Sequence, residues 1–387
     1  MKVAHTADNH LGYMQYHLRE RKEDFFKAFE RVVDRCIEEG VELLLHAGDL
    51  FESYHPDTET IYRAIGQFRR LKEAGVKVVA VTGNHDRALR KGIFPPHKIL
   101  EELGLLTLLD PFGEVEFDGL SIFGFRYFPR RYFEEFKNGK LREFEERALK
   151  RSSPSVLLFH QAIDQFLPFK DAFEVLLTEL PSGFSYYAAG HIHLPRLEEV
   201  KGGKLAYPGS TEFRSLMEAQ RGLRGFNIYC PETGEVKRVE LDGLRPFIVV
   251  KTTQERASSD LKELLERVKS CSQKPVVILI YSFKELPVEK FSFLLSQIER
   301  FSLYLRVIKR PVVEGLEEKE DEVRGKPLHQ LFEEFAKELG LSEGVKRLSW
   351  EVVDATPDRV DEIVDSFLRE EMGQLYSLFE QWGNQVD

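Results

Sequence analysis

The chain has little cysteine and no long apolar run. Its 387 residues include three cysteines, Cys36, Cys230 and Cys271, which lie far apart and form no CxxC pair. This usage argues against a disulfide framework and for a reducing compartment. Apolar runs such as 276–281 are far too short to span a membrane, and the amino terminus shows no charged-then-apolar leader. We therefore expect a cytoplasmic protein, or a nuclear one if the source is eukaryotic.

The acidic excess lies at one end of the chain. The net charge is −10, but residues 314–387 hold 20 Asp and Glu against 8 Lys and Arg, a net charge of −12. Residues 1–313 therefore hold 45 acidic and 47 basic residues, a net charge of +2. The body of the protein is near neutral, so its overall charge does not exclude an anionic substrate.

Five short clusters of metal-binding residue types follow five predicted strands. The strand-like runs are Lys2–His5, Leu43–His46, Val76–Val81, Val156–Phe159 and Tyr186–Ala189. The clusters are Asp8-x-His10, Gly48-Asp49, Gly83-Asn84-His85-Asp86, His160-Gln161 and Gly190-His191-x-His193. In an α/β fold, loops at the carboxyl ends of buried strands converge on one crevice. The spacing therefore predicts a single site.

The residue types indicate a pair of transition metals. Carboxylate, imidazole and amide ligands without cysteine suit manganese, iron or zinc. Two ions about 3.5–4 Å apart need a shared ligand, and an aspartate can bridge with both oxygens; Asp49 is our candidate. Each cluster alone also has an ordinary structural explanation, such as a turn at GNHD or a core histidine at His160. Only their joint occurrence favours a site.

The wording of the motifs resembles a known family. The order DxH, GD, GNHD, H, GHxH is similar to that of the calcineurin-like metallophosphoesterases. The segments HTADNHLG, HAGDLF, TGNHD, HQ, GHIH and YPGS resemble one branch, the meiotic-recombination-eleven nucleases, called SbcD in bacteria. The motifs cover residues 5–210, and the layout extends the resemblance to most of the chain.

The resemblance implies a role for each motif residue. One metal would take Asp8, His10 and His193, and the second would take Asn84, His160 and His191, with Asp49 shared. His85 would lie beside the scissile phosphate, where it stabilises the transition state or protonates the leaving oxygen. The implied cofactor is two Mn²⁺ per chain, with iron or zinc as alternatives and magnesium less favoured.

One position departs from the family pattern. Relatives usually carry a histidine three residues after the bridging aspartate, in GDLFH, whereas this chain has Glu52 in GDLFESYH. The family histidine is associated with substrate positioning and exonucleolytic cleavage, so the balance of activities is open here. Glu52 or His55 could take its place, although a surface-loop histidine before Pro56 is the simpler interpretation of His55.

Local basic stretches are candidates for contacts with DNA phosphates. They contain Arg87, Arg90 and Lys91 beside GNHD, and Arg126 farther along the chain. A solvated surface is the default interpretation of such stretches. We favour Arg87 because it follows the GNHD motif directly.

The predicted architecture is α/β, and α+β by layer. Residues 1–243 would form a β-sandwich metallophosphoesterase domain with flanking helices. Residues 244–312 would form a small α/β unit with strands 247–251, 276–281 and 303–308. It resembles the capping domain of this family, which contacts DNA, although on sequence alone it could be any small α/β accessory domain. Residues 313–325 read as an acidic linker, and residues 326–387 as a helical tail.

Two regions with helical patterns are candidates for binding other protein chains. The tail segments 327–339 and 357–379 are amphipathic with little apolar area between them, so they either pack back on the nuclease domain or bind a partner. By resemblance, that partner is an SMC-like, ABC-type ATPase. The apolar side of the helix at 58–73 is most simply part of the core, but the family resemblance implies that helices in this region form a homodimer.

The function expected is therefore a manganese-dependent DNA nuclease that processes double-strand-break ends. It would combine 3′–5′ duplex exonuclease and single-strand or hairpin endonuclease activities. A metallophosphatase or small-molecule phosphodiesterase on the same core is the alternative, and a non-catalytic scaffold is a third. Exonuclease preference, polarity, the metal and the dimer-forming residues stay open at this stage.

Overall fold

The first sheet is a six-stranded, mostly parallel layer that carries three of the five motifs. In the computed structural model, the described residues are 1–87, 93–167, 173–283, 291–311, 333, 336–337 and 342–354. The sheet runs in the order β12-β11-β1-β2-β3-β4. Its strands are β1 (Val3–Thr6), β2 (Leu43–Ala47), β3 (Lys77–Val81), β4 (Thr107–Leu108), β11 (Gly225–Cys230) and β12 (Glu235–Glu240). Strands β1 to β4 are parallel, so their carboxyl ends lie at the same edge.

Both faces of this sheet are buried. In β2, Leu43 and Leu45 pack in one apolar core while Leu44 packs in another, as the alternation of a strand requires. Helices α1 (Arg19–Glu38), α2 (Thr58–Glu73) and α3 (His97–Glu102) contribute to the core around Leu44. The predicted helix at 58–73 is thus confirmed as α2.

The second sheet carries the other two motifs. It runs in the order β5-β6-β7-β8-β10-β9. Its strands are β5 (Phe112–Phe117), β6 (Leu120–Phe125), β7 (Ser155–His160), β8 (Tyr186–Gly190), β9 (Arg196–Val200) and β10 (Gly203–Tyr207). A hairpin at 117–120 joins β5 to β6, and the positive φ of Asp118 (44°) and Gly119 (79°) suits its two-residue turn.

The two sheets pack face to face. Their shared core takes side chains from both, including Leu45 and Val79 of the first sheet and Ile122, Val156 and Ala188 of the second. Helices α4 (Arg130–Phe136) and α5 (Arg142–Leu149) cover the far side of the second sheet. A short helix, α6 (Leu216–Arg221), precedes β11. The predicted β-sandwich with flanking helices is confirmed.

A third, three-stranded sheet follows the sandwich in the chain. Its strands β13 (Phe247–Thr253), β14 (Val276–Phe283) and β15 (Tyr304–Pro311) are parallel, and they alternate with helices α7 (Ala257–Ser270) and α8 (Ser292–Phe301). One face of the sheet packs on both helices. The other face contributes to a small cluster with Tyr16 and Leu216 of the sandwich region.

Specific contacts tie this sheet to the sandwich. Arg245 donates to both carboxylate oxygens of Asp24, at 2.6 Å and 3.0 Å. The rings of Tyr16 and Tyr304 stack with centroids 4.0 Å apart. Bidentate pairing and ring stacking both favour one orientation.

Within the described part of the acidic tail, residues Glu343–Asp354 form helix α9. Its Lys346 pairs with Glu343 at 2.7 Å. The predicted helix at 357–379 lies outside the described residues, as do most of 327–339 and all of 313–325. Among the residues that are described, no helix is long and apolar enough to cross a membrane.

Candidate metal centre

The five motifs lie at the carboxyl ends of five strands and meet in one place. Asp8 follows β1, Asp49 follows β2, and Asn84 follows β3, all in the first sheet. His160 ends β7 and His191 follows β8, both in the second sheet. The site therefore spans the edge where the two sheets adjoin, as parallel strands with aligned ends predict.

One group of potential ligands contains Asp8, His10 and His193, whose ligand atoms all lie within 4.8 Å of one another. The Nε2 atoms of the two histidines are 3.2 Å apart. Asp8 Oδ1 lies 3.8 Å from His193 Nε2. Asp8 and His10 are fully buried, so their polar atoms are removed from bulk water.

A second group contains Asp49, His160 and His191, again within 4.8 Å. His160 Nε2 lies 3.2 Å from His191 Nδ1 and 3.1 Å from Asn84 Oδ1. The asparagine thus adds an amide oxygen to the group.

Asp49 lies between the two groups. Its Oδ2 atom is 3.3 Å from His160 Nε2 in the second group and 3.9 Å from His10 Nε2 in the first. Its Oδ1 atom accepts a hydrogen bond from the backbone N–H of His85 at 2.9 Å. A carboxylate held in this way faces both groups at once.

The donor set fits divalent cations. It offers carboxylate, imidazole and amide atoms at close range, the types preferred by manganese, iron and zinc. Burial disfavours the charged imidazole, but Asp49 and Asp8 outweigh it and raise the pKa of His160 to about 9. A buried anionic pocket that holds a proton so firmly is one in which a cation can replace that proton.

The backbone around the site is strained in the way functional loops often are. Four residues of the two groups have positive φ: Asp8 (54°), His10 (48°), Asp49 (53°) and His191 (94°). Such values are uncommon for residues with side chains and persist where surrounding structure fixes them. Asp86 provides part of this support, because its carboxylate accepts from Gly83 N–H (2.7 Å) and from Leu50 N–H (2.7 Å).

Comparison with known proteins identifies this arrangement. The family model for calcineurin-like phosphoesterases matches residues 1–195. The chain is 34% identical over 393 residues to the DNA double-strand break repair protein Mre11 of Methanopyrus kandleri, covering 95% of this chain and 82% of the relative. It belongs to the Mre11 family.

Two further relatives support the assignment. The Mre11 proteins of Saccharolobus solfataricus and Sulfurisphaera tokodaii are 30% and 28% identical. Each match spans 80% of this chain, and it covers 82% and 80% of the respective relative. The prediction of an Mre11-type, metal-dependent phosphodiesterase is confirmed.

Outer contacts orient the histidines of this Mre11-family site. His160 Nδ1 donates to the carbonyl oxygen of Ala47 at 2.7 Å, which turns Nε2 toward Asp49. His193 Nδ1 donates to Glu218 Oε1 at 3.0 Å. Partners of this kind fix the tautomer and the ring orientation of a ligand histidine.

Glu218 was missed by the sequence analysis. Its only local signal is Ser215, which caps α6 by accepting from the Glu218 N–H. The carboxylate also accepts from Ser210 Oγ (2.8 Å) and Arg224 Nη1 (3.1 Å). Burial opposes its ionisation, but His193 and Arg224 hold the pKa of Glu218 at about 2. Its role depends on tertiary contacts that no spacing reveals.

His85 lies at the partly exposed side of the cluster. Its Nδ1 donates to the backbone carbonyl of Glu52 at 3.1 Å. Its Nε2 accepts from Arg214 Nη1 at 3.3 Å. Arg214, also missed by the sequence analysis, pairs with Glu52 through Nη2 and Oε1 at 2.7 Å.

Glu52 and His55 differ in where they lie. Glu52 joins the cluster: its Oε2 is 2.8 Å from His10 Nδ1 and 3.8 Å from His85 Nδ1. His55 is exposed, its ring lies against that of Tyr54 with centroids 4.0 Å apart, and it lines an apolar cavity of about 810 Å³.

The predicted DNA-contact residues are only partly described. Arg87 lies over the ring of Tyr127, with Cζ 5.1 Å from the centroid, and Tyr127 in turn lies against His191. Arg126 pairs with Asp110 at 3.4 Å. Arg90 and Lys91 lie outside the described residues. Of the described candidates, Arg87 is therefore the one linked to the cluster, through the Tyr127 ring.

Proposed function

We propose that this chain is a two-metal nuclease that processes DNA double-strand-break ends. The observation that carries the proposal is the position of Asp49, whose Oδ2 lies 3.3 Å from His160 Nε2 and 3.9 Å from His10 Nε2. A single carboxylate that faces two ligand groups is what a pair of closely spaced ions requires.

The proposed ligands follow the two groups. Asp8, His10 and His193 would hold one ion, and Asn84, His160 and His191 would hold the other, with Asp49 shared. Hydrogen bonds from His160 to Ala47 and from His193 to Glu218 support this assignment, because they leave the opposite ring nitrogens directed into the cluster.

The ions and the protein side chains would have different roles in the reaction. When bound, the ions supply positive charge that activates the attacking water and stabilises charge on the phosphate oxygens. The Asp49 carboxylate accepts a hydrogen bond from the backbone N–H of His85, and the backbone carbonyl of Glu52 accepts one from the His85 ring. His85 would stabilise the transition state or protonate the leaving oxygen from this fixed position.

We propose manganese as the physiological ion. The oxygen and nitrogen donors suit manganese, iron and zinc, and the family resemblance selects manganese. Magnesium is disfavoured because the four imidazoles among the proposed ligands are a poor match to its preference for oxygen ligands.

The proposed substrate is DNA, cut by 3′–5′ duplex exonuclease and by single-strand or hairpin endonuclease activity. Relatives named for double-strand break repair support this choice over a small-molecule phosphodiesterase. The third sheet supports it as well, since Arg245 and Tyr304 attach an additional surface to the sandwich near α1. We assign to that surface the task of holding and orienting the duplex.

We further propose a cytoplasmic homodimer that works with an SMC-like, ABC-type ATPase. Exposed apolar side chains at α2 support the dimer. Tyr62 of α2 is 76% exposed, and Ile61 of α2 lines a common surface with Phe94 (72% exposed), Ile99 and Leu103. Exposed apolar patches of this kind mark interaction surfaces. The ATPase would bind the carboxyl-terminal helices predicted at 327–339 and 357–379.

A cleavage panel tests the proposal. Metal-loaded protein is incubated with end-labelled duplex DNA, hairpin DNA and a chromogenic phosphodiester, each with Mn²⁺ or Mg²⁺ and with or without the ATPase. The proposal expects Mn²⁺-dependent cleavage of both DNAs and its loss in Asp49→Ala. Cleavage of the chromogenic ester with no action on either DNA, with or without the ATPase, would instead support a small-molecule enzyme.

A further inference from the structure

Arg214 lies at the open side of the metal centre. Its side chain is 23% exposed, close to the values for Glu52 (22%) and His85 (27%), whereas Asp8 and Asp49 are buried. His191 (25% exposed) and His193 (19% exposed) are open to a similar extent, so these five side chains together line the side of the centre that a phosphodiester can reach. Arg214 contributes a guanidinium group to this side, and a guanidinium is a cation whose planar shape matches phosphate oxygens.

Both the backbone and the guanidinium group of Arg214 are held by neighbouring residues. The backbone N–H of Arg214 donates to Glu218 Oε2 at 3.1 Å, and its carbonyl accepts from Gln15 Nε2 at 2.8 Å. The guanidinium carbon lies 5.0 Å from the centroid of the Tyr13 ring. Nη2 donates to Glu52 Oε1 at 2.7 Å. A donor fixed in advance in this way needs little reorganisation when charge arrives.

Not all N–H groups of the Arg214 guanidinium make good hydrogen bonds. A guanidinium carries five N–H groups. Nη1 makes a 3.3 Å contact with His85 Nε2, and Nε is buried with no hydrogen-bond partner among the described residues. A buried donor without a partner costs free energy unless a ligand satisfies it. Nη1 is the donor that lies beside His85, which is where the proposed reaction takes place.

We propose that Arg214 binds a non-bridging oxygen of the scissile phosphate and that Glu52 is the positioning residue that aims it. The inference rests on the proposed nuclease function and adds a phosphate-binding residue to it. Arginine suits this task because its planar fork matches phosphate oxygens and forms charge-assisted hydrogen bonds.

The departure at position 52 gains an explanation. A histidine there would offer Arg214 no negative charge, whereas the Glu52 carboxylate pairs with it through Oε1. The other oxygen, Oε2, lies 2.8 Å from His10 Nδ1. One carboxylate thus connects the phosphate-binding arginine to a proposed ligand histidine.

The test uses full-length protein loaded with Mn²⁺ and inorganic phosphate as the probe. Calorimetry measures phosphate affinity for the wild type, Arg214→Gln, Arg214→Lys, Glu52→Gln and the double variant. Elemental analysis gives the metal content of each. Cleavage of a chromogenic phosphodiester then gives kcat and KM for the same samples.

Arg151→Gln is the matched control. Arg151 is 26% exposed, pairs with Glu116 at 3.2 Å and lies over the Phe123 ring, so its surroundings resemble those of Arg214. It precedes β7, at the end of the strand opposite His160. Its loss should leave phosphate affinity and cleavage unchanged.

We expect Arg214→Gln to weaken phosphate binding by about 10- to 100-fold, the range for a lost charge-assisted hydrogen bond, with full metal content. Arg214→Lys should recover part of the loss because the charge remains. Glu52→Gln should have a smaller effect that disappears in the Arg214→Gln background, since residues acting as one unit are not additive.

Two results would overturn the inference: an Arg214→Gln protein that matches Arg151→Gln in phosphate affinity, or one that loses its metal. Failure of the nuclease proposal has a different signature. If the wild type cleaves no diester yet binds phosphate through Arg214, the phosphate-binding role stands and the proposed reaction does not.

Discussion

Gly190→Ala provides a sharp test of how the two sheets are joined at the site. Gly190 ends β8 directly before His191. A Cβ placed there would overlap the carbonyl oxygen of Ala47 and lie 2.8 Å from His160 Nδ1, whereas ordinary contacts begin near 3.4 Å. These two atoms are the partners of the 2.7 Å hydrogen bond that orients His160. The added methyl group therefore falls on the bond itself.

The expected magnitude follows from this geometry. The His160 ring must retreat by about 0.6 Å to reach normal contact, and the carbonyl must retreat further. Overpacking of this kind costs about 1–3 kcal/mol of stability. Loss of the outer partner of a ligand histidine lowers metal affinity by about 10- to 100-fold. Displacement of a reacting group by about 1 Å lowers the rate by roughly 10²-fold.

Three measurements check this prediction. Calorimetric Mn²⁺ titration gives the affinity of each site, urea unfolding gives the stability, and phosphodiester cleavage gives the rate. Gly139→Ala is the control, because Gly139 lies in a helical turn, its φ is not positive and no atom lies within 4 Å of its added Cβ. Wild-type affinity and wild-type cleavage in Gly190→Ala would refute the reasoning.

Three further predictions follow from single contacts. Glu218→Gln removes the charged acceptor of His193 Nδ1 and should weaken Mn²⁺ binding by about 10- to 100-fold; unchanged calorimetry would contradict the assigned role. His85→Gln should keep both ions but lose cleavage, and an active enzyme with this substitution would disprove the role of His85. Burial opposes ionisation of Glu179, but hydrogen bonds from Arg130 and a neighbouring lysine lower its pKa from 4.5 to about 2. The folded pKa lies below the unfolded value, so this carboxylate stabilises the protein above about pH 4.5 and loses its effect as the pH falls toward 2. Glu179→Gln should therefore lower the free energy of unfolding by about 1 kcal/mol at pH 7, and urea unfolding should show the difference closing below about pH 4; a pH-independent difference would contradict this.

Much of the fold followed from local patterns. The aliphatic runs before Asp8, Asp49 and Asn84 are buried on both faces of their sheet, so they predicted parallel strands and a common edge. The β5–β6 hairpin also has a local cause, because the Asp118-Gly119 pair at its turn tolerates positive φ. Strand β15 ends later than expected, at Pro311 rather than residue 308. Pairing with β14 extends the strand, and pairing is a tertiary property.

The site was predictable only as far as its motifs. The seven proposed ligands stand in short patterns directly after strands, where spacing carries information. Glu218 and Arg214 stand in no such pattern: Glu218 reaches His193 across 25 residues of chain, and Arg214 reaches Glu52 across 162. Their roles come from how the loop before α6 folds against the sandwich. The resemblance drew attention to Glu52, but the sequence did not reveal that Glu52 pairs with Arg214.

The central claim is that Asp49 joins two metal-binding groups in one centre. Metal content by elemental analysis, together with electron paramagnetic resonance of the Mn²⁺-loaded protein, tests it most directly. We expect two Mn²⁺ per chain with the spectrum of a spin-coupled pair, and we expect Asp49→Asn to lose both the coupling and the cleavage activity. Two uncoupled ions, or an Asp49→Asn protein that keeps the coupled spectrum and cleaves DNA, would contradict it.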